Sequence, residues 1–268
     1  MNISGYDHGS RGFGIRDIQL ILPSVICSTH ISKKIADNVG AKSFSHNTGC
    51  AIIGNDVEGI SEFFKDLANH PNVGSVLVVG LGCETIQGNE LTEKILNTNP
   101  STKYLVIQES GGMGATLARG SEAAKELQRQ YPSKKIDLNN LVIGIDVSEN
   151  ESRVEPIIQI LRDAGINYVV ANGPQTSNNL AELMKAGAHL IFSLTASDQP
   201  PTGYPIIPVI NISSNSTLHM AINNDFDLEV IEKDSLLNLI AEIANGKESK
   251  AESLGLGEIF APRVVRSV

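Results

Sequence analysis

Seven short apolar runs, at 18–22, 76–80, 104–108, 141–145, 168–171, 190–194 and 206–210, punctuate this chain. They are built from Val, Ile and Leu with little polar alternation. A strand with one wet face alternates in polarity, so runs of this kind read as strands covered on both sides. Segments of helical period lie between them. Residues 56–68 place Val57, Ile60, Phe63, Phe64 and Leu67 on one stripe, and 116–130, 153–164, 177–186 and 235–244 follow the same rule. Such alternation implies parallel strands, because a parallel return needs a crossover long enough to hold a helix. The reading is an α/β chain of two Rossmann-like lobes, each with a mainly parallel sheet flanked by helices. The polar stretch 131–140 carries no period and marks the boundary. Residues 1–135 are assigned to the first lobe and 136–268 to the second, which ends in an irregular arm.

Charge narrows the partners. A net charge of −9 argues against nucleic acid and against an anionic membrane surface, both of which need a basic face. No apolar run approaches the ~20 residues that cross a bilayer, and the N-terminus is polar and glycine-rich, unlike a signal peptide. Three cysteines, an odd number, make no disulfide framework. Free thiols and a cytoplasmic location are expected.

In open parallel sheets, ligands bind beyond the carboxyl ends of the strands. The polar residues that follow each apolar run therefore share an address. Ser24 and Cys27 follow the first run, Gly82, Cys83 and Glu84 the second, and Gln108, Glu109, Ser110, Gly111 and Gly112 the third. In "SHNTGC", His46 stands four residues before Cys50. His70 opens the stretch "HPNVGSVLVVGLGCE" that Cys83 and Glu84 close. A borderline metal would accept His46, Cys50 and Cys83, with Glu84 or Glu109 as an oxygen ligand or base. The alternative is that the cysteines are small core hydrophobes. Gly111 and Gly112 either permit a tight turn or offer amides to an anion at the next helix. Arg11 and Arg16 flank a glycine-rich segment read as a flexible loop. They suit two-pronged binding of a carboxylate, or else make solvated ion pairs.

Taken in order, "GYDHGSRGFGIRD", "LPSVICS", "HNTGC", "HPNVGSVLVVGLGCE" and "IQESGG" resemble the altronate/galactarate dehydratase family with its sulfolactate-lyase relatives. The resemblance resumes in "AGAHLIFSLTAS", "NSTLHMAINNDFD" and "GKESKAESLGLGEIFAP". It departs at Arg16-Asp17, where the family has R-N, at Ala51 and at Met113. The family's central C-G-G-S-D segment is replaced by "LVIGIDVSENESRV", with Asp146 near the expected acid. The second lobe is thus a shortened version.

The resemblance implies a metal-dependent hydro-lyase that dehydrates a sugar acid to a 2-keto-3-deoxy acid, with iron or manganese as the divalent metal. On that reading Glu84 or Glu109 is the base and His46 or His70 the acid. Arg11, Arg16, Gln108, Gly111 and Gly112 hold the substrate, and His46, Cys50 and Cys83 hold the metal. A homo-oligomer or a partner subunit would complete the shortened site. Two alternatives stand beside it: a non-catalytic sugar-acid-binding member, and a lyase subunit for a sulfolactate-like acid. A nucleotide-dependent enzyme is discounted, since "GLGCE" lacks the third glycine of a dinucleotide fingerprint.

Overall fold

The structure, a computed structural model, describes residues 2–46, 49, 50, 52, 54–128, 131–147, 154–194, 199–213, 216–228 and 231–261. The chain forms two compact lobes, and neither is one continuous stretch. The first comprises 8–13, 17–131 and 259–261, and the second 2–7, 14–16 and 132–258. Counting along the chain, β1 (Asn2–Asp7) and β2 (Phe13–Gly14) come first; β1 and Gly14 of β2 are taken up with the second lobe.

The first lobe runs β3 (Ile18–Pro23), α1 (Thr29–Val39), α2 (Asn55–Ala68), β4 (Val73–Gly80), α3 (Gly88–Leu96), β5 (Thr102–Val106) and α4 (Met113–Leu127). Its sheet has the order β3-β4-β5, all parallel, with Leu20 opposite Val76 and Val78 opposite Tyr104. Every residue of β4 is buried, as an apolar run without alternation requires. On one face Ile21, Leu77 and Val79 pack with Ile31 and Ile35 of α1 and with Ala124 and Leu127 of α4. Burying each of the larger side chains is worth ~1.5–3 kcal/mol. Helix α2 buries Phe63, Phe64 and Leu67, the stripe read from its period. A bridge between Leu20 and Lys42 adds one more parallel pairing outside β3 and leads the chain toward the same edge as Ser24. All three strands therefore deliver their following loops to one edge.

The second lobe contains β6 (Ser133–Asp137), β7 (Val142–Val147), α5 (Val154–Asp163), β8 (Asn167–Asn172), α6 (Thr176–Lys185), β9 (Leu190–Leu194), β10 (Val209–Ile212), α7 (Ser216–Ile222), α8 (Lys233–Ala244) and α9 (Lys250–Ser253). Its main sheet is parallel in the order β10-β9-β7-β8. A smaller sheet, β2-β1-β6, pairs β1 with β6 antiparallel, Ile3 opposite Ile136. The cut expected between 135 and 136 thus falls inside β6. The sequence gives no period there because β6, "SKKID", buries only Ile136. The N-terminal segment read as a flexible loop is ordered: it holds β1, the turn Gly9–Arg11 and a buried Arg11. Among the described residues no helix is long and apolar enough to cross a membrane.

Candidate active site

The loop after β4 is shaped by glycine. Gly80 has no room for a side chain: a Cβ there would stand 2.4 Å from Glu84 Oε1 and 2.6 Å from the Tyr104 hydroxyl. Gly82 takes φ +116°, and a Cβ would come within 2.7 Å of Gln108 Oε1. Around these gaps Glu84 folds back to the strand end. Its Oε1 accepts from Ser24 Oγ at 2.9 Å and its Oε2 from the Gly82 amide at 2.5 Å. The residue is 2% exposed. A buried carboxylate needs such donors, since an uncompensated buried charge is costly. Gln87 Nε2 donates to the Glu84 carbonyl and fixes the turn further.

Beside this turn lies a cavity of about 470 Å³, lined by Gly82, Gln87, Asn89, Tyr104, Glu109, Ser110 and Arg119 together with Leu105 and Val106. Its functional groups suit a polyhydroxylated acid: two amides, a phenol, a carboxylate and a guanidinium. The Tyr104 pKa is pushed up to about 12, first by burial and then by the negative charges of Glu84 and Glu109. The phenol therefore keeps its proton at neutral pH. Arg119 is exposed on α4 and reaches the same space.

Cys83, Glu84, Gln108 and Glu109 stand together at the carboxyl edge of the first sheet, where Gln108 Nε2 donates to Cys83 Sγ at 3.5 Å. Gly111 (φ +85°) and Gly112 (φ +100°) form the turn into α4, and the Gly112 carbonyl accepts from the Thr116 amide and hydroxyl. The Cys50 loop joins them, because Thr85 Oγ1 donates to the Cys50 carbonyl at 2.7 Å. His46 is buried among aromatic rings, 4.9 Å from the Phe64 centroid and 6.5 Å from that of Phe44. Burial lowers its pKa to about 4. The imidazole is neutral at pH 7, which does not suit it as a cationic acid.

Three of the expected residues are placed elsewhere. His70 precedes β4, and its Nδ1 accepts from the Asn72 amide at 3.1 Å. The eight residues of β4 separate it from Glu84 by roughly 26 Å at ~3.3 Å per residue. Arg11 is at that far end too, donating to the Val73 and Gly74 carbonyls. Arg16 belongs to the second lobe, and all five of its N–H groups are engaged. They reach both Glu252 carboxylate oxygens, at 2.9 and 2.8 Å, and the carbonyls of Ile15, Ile243 and Lys247.

The sequence reading did not single out Tyr104, Arg119, Gln87 or Asn89. Tyr104 hides at the start of a strand run, as Tyr168 does in another, so nothing in the sequence marks it out. Arg119 carries no motif and is found only through the turn that aims α4. In the second lobe Asp146 is fully buried and accepts from Asn179 Nδ2 at 2.7 Å and Ser193 Oγ at 2.8 Å. Burial pushes its pKa up, against those two hydrogen bonds. Among the described residues no three His, Cys, Asp or Glu side chains gather around a single metal ion.

Two family descriptions account for most of the chain. "D-galactarate dehydratase/Altronate hydrolase, second domain" matches residues 5–131, and "D-galactarate/Altronate dehydratase, C-terminal" matches 148–266. Among curated proteins, the altronate dehydratase of Escherichia coli (strain K12) is 25% identical over 185 residues, covering 64% of this chain and 37% of its own length. That of Bacillus subtilis (strain 168) is 26% identical over 188 residues, with the same coverage of 64% and 37%. The match thus spans little more than a third of either relative. With both domain descriptions matched in order, the chain belongs to the altronate/galactarate dehydratase family.

Proposed function

We propose that this chain is a hydro-lyase that removes water from a sugar acid such as altronate or galactarate, giving a 2-keto-3-deoxy acid. The observation that supports it is the pairing of a buried, hydrogen-bonded carboxylate, Glu84, with a phenol held protonated, Tyr104, beside one polar cavity. Elimination needs both a base and a proton donor at the same pH. Arg119 pairs with the substrate carboxylate in two-pronged fashion. Glu109 in the cavity wall, or Glu84 buried behind the Gly82 turn, takes the proton from C2. The electron pair forms the C2–C3 double bond as the C3–O bond breaks, and the Tyr104 proton leaves with the hydroxyl as water. The enol then tautomerises to the ketone, and the proton held by the carboxylate returns to the phenolate through solvent.

Such a cleft works best when water is excluded. A second copy of the chain or a separate subunit is therefore proposed to cover the first lobe's edge. The iron or manganese that the family resemblance implies is read directly by element analysis of protein purified without chelator. The deciding assay offers aldonic acids, aldaric acids and sulfolactate, and measures 2-keto acid and sulfite. Keto-acid formation from a sugar acid is the expected result. Saturable binding of those acids by metal-loaded protein without any turnover would replace this reading with that of a non-catalytic binding member. Sulfite release would replace it with a sulfolactate-type lyase.

A further inference from the structure

Sequence and structure disagree over β8. Its run "YVVA" reads as a strand covered on both faces, yet β8 is an edge of the second lobe's main sheet and buries only Ala171. The opposite edge, β10, buries all four of its residues and is bridged at Ile212 to Leu228. Among the described residues β8 pairs with β7 alone, and Val170 is left 39% exposed. Bare edge strands invite pairing, and proteins ordinarily blunt them with charge, proline or a bulge. β8, "NYVVAN", carries no charge and no proline, and its register on β7 runs unbroken from Asn167 to Asn172. An apolar edge without any of these guards suits a strand that is paired in solution.

We infer that β8 pairs antiparallel with β8 of a second copy of this chain, joining the two sheets into one. A two-fold axis between such strands stands perpendicular to the sheet and keeps each side chain on its own face. One residue then opposes its own counterpart, and the exposed Val170 fits that place. Tyr168 consequently opposes Asn172 of the second copy, on the face that α5 covers. Helix α5 is charged to match. Near its end, Arg162 lies over the Tyr168 ring, 5.8 Å from the centroid, and its Nε donates to the Tyr168 hydroxyl at 3.0 Å. Near its start, Glu155 lines a cavity of about 190 Å³ with Val147, Val154, Val170 and Asn172. A cation thus stands level with Tyr168 and an anion level with Asn172. The two-fold sets each Arg162 toward Glu155 of the other copy, and places the other copy's Tyr168 to fill the cavity. Arg162 and Glu155 already pair within the chain at 3.3 Å, so the dimer closes a ring of alternating charges. One short strand pairing is a small contact, and stable interfaces bury ~1,200 Å² or more, so α5 has to share it.

The full chain is followed by sedimentation velocity from about 1 to about 100 μM, and by hydrogen exchange at residues 167–172. A dimer is expected, with exchange at β8 that quickens on dilution. Because position 170 opposes itself, Val170→Lys sets two like charges face to face. It should raise the dissociation constant at least about 100-fold, with the circular dichroism unchanged. Val170→Cys, mildly oxidised, should link two chains through position 170, identified by mass spectrometry, and decides the matter if Val170→Lys misfolds. Arg162→Glu should weaken the dimer, and adding Glu155→Arg should restore it. A wild-type monomer over the whole range overturns the proposal, and slow exchange at β8 in that monomer would assign the edge to another segment of the same chain. A dimer that Val170→Lys leaves intact overturns it too, by placing the interface elsewhere.

Discussion

In the proposed elimination Tyr104 is the acid and Glu84 a base, and their environments differ accordingly. Ser24 and the Gly82 amide serve the carboxylate, whereas burial and two carboxylates hold the phenol in its protonated form. Tyr104→Phe keeps the ring and deletes the proton, so kcat should fall by about 10²–10³-fold with KM nearly unchanged. Arg119→Gln should do the opposite, raising KM at least about tenfold while the protein stays folded, because a two-pronged carboxylate contact is uniform binding. Steady-state kinetics separate the two, and a Tyr104→Phe enzyme of normal kcat would remove the phenol from the chemistry. His46 sets a stability limit. Its folded pKa, about 4, lies below its ordinary 6.5 because the ring is buried, so protons favour the unfolded chain. The stability is whole above about pH 6.5 and is lost as pH falls toward 4, up to roughly 3 kcal/mol. Melting curves from pH 7 to 4 should show that slope, and His46→Phe should flatten it.

At the scale of elements, the pairing of α1 with α4 decides where the turn carrying Gln108 to Gly112 points. Gly120 of α4 meets α1 without a side chain: a Cβ would stand 2.3 Å from Ile35 Cδ1 and 3.0 Å from Leu105 Cδ2. Gly120→Ala gains up to ~1 kcal/mol of helix propensity but overpacks a full core, at ~1–3 kcal/mol. The clash should win by roughly 1–2 kcal/mol, seen as a Tm lower by several degrees and a weaker Tyr104–Arg119 cavity. A higher Tm would mean that α4 slides freely. The elements legible in the sequence are those with doubly covered faces. Strands β3, β4, β7 and β9 and helices α2, α5, α6 and α8 show their burial as unbroken or periodic apolar residues, whereas β8, read from its apolar run as covered on both sides, is an edge strand that buries only Ala171. Strands β1 and β6 lack that mark because they form a small sheet with little buried surface, and α1 and α3 sit among polar residues that blur their period. The site followed the same logic. The carboxyl-edge rule located Cys83, Glu84, Gln108 and Glu109 from strand ends alone. Tyr104 and Arg119 face the cavity only because neighbouring strands and α4 are in register, which one chain's spacing does not encode.

For the whole molecule, Arg16 ties the beginning of the chain to its end. Residues 14–16 and 132–258 share the second lobe, and one guanidinium holds them together by both oxygens of Glu252 and the carbonyls of Ile243 and Lys247. Glu252 is itself fixed by the capping box of α9, where Ser249 Oγ accepts from the Glu252 amide and the Glu252 carboxylate accepts from the Ser249 amide. Two motifs that the family resemblance picks out at opposite ends of the sequence, "GFGIRD" and "GKESKAES", are therefore one structural clasp. Arg16→Gln keeps one or two of the five hydrogen bonds and leaves a largely shielded Glu252 without its cation. Breaking such a pair from one side costs more than the pair itself contributes, about 3–5 kcal/mol when fully buried. The side chains here retain 14% and 18% exposure, so roughly 2–4 kcal/mol is expected. Glu252→Gln, which removes the opposite charge, should destabilise less, because Arg16 keeps its carbonyl partners. Chemical denaturation gives both values, and on the proposed hydro-lyase reading the variant that remains folded should keep the wild-type KM. A tenfold rise in KM with an unchanged denaturation midpoint would instead return Arg16 to the substrate site and dissolve the clasp.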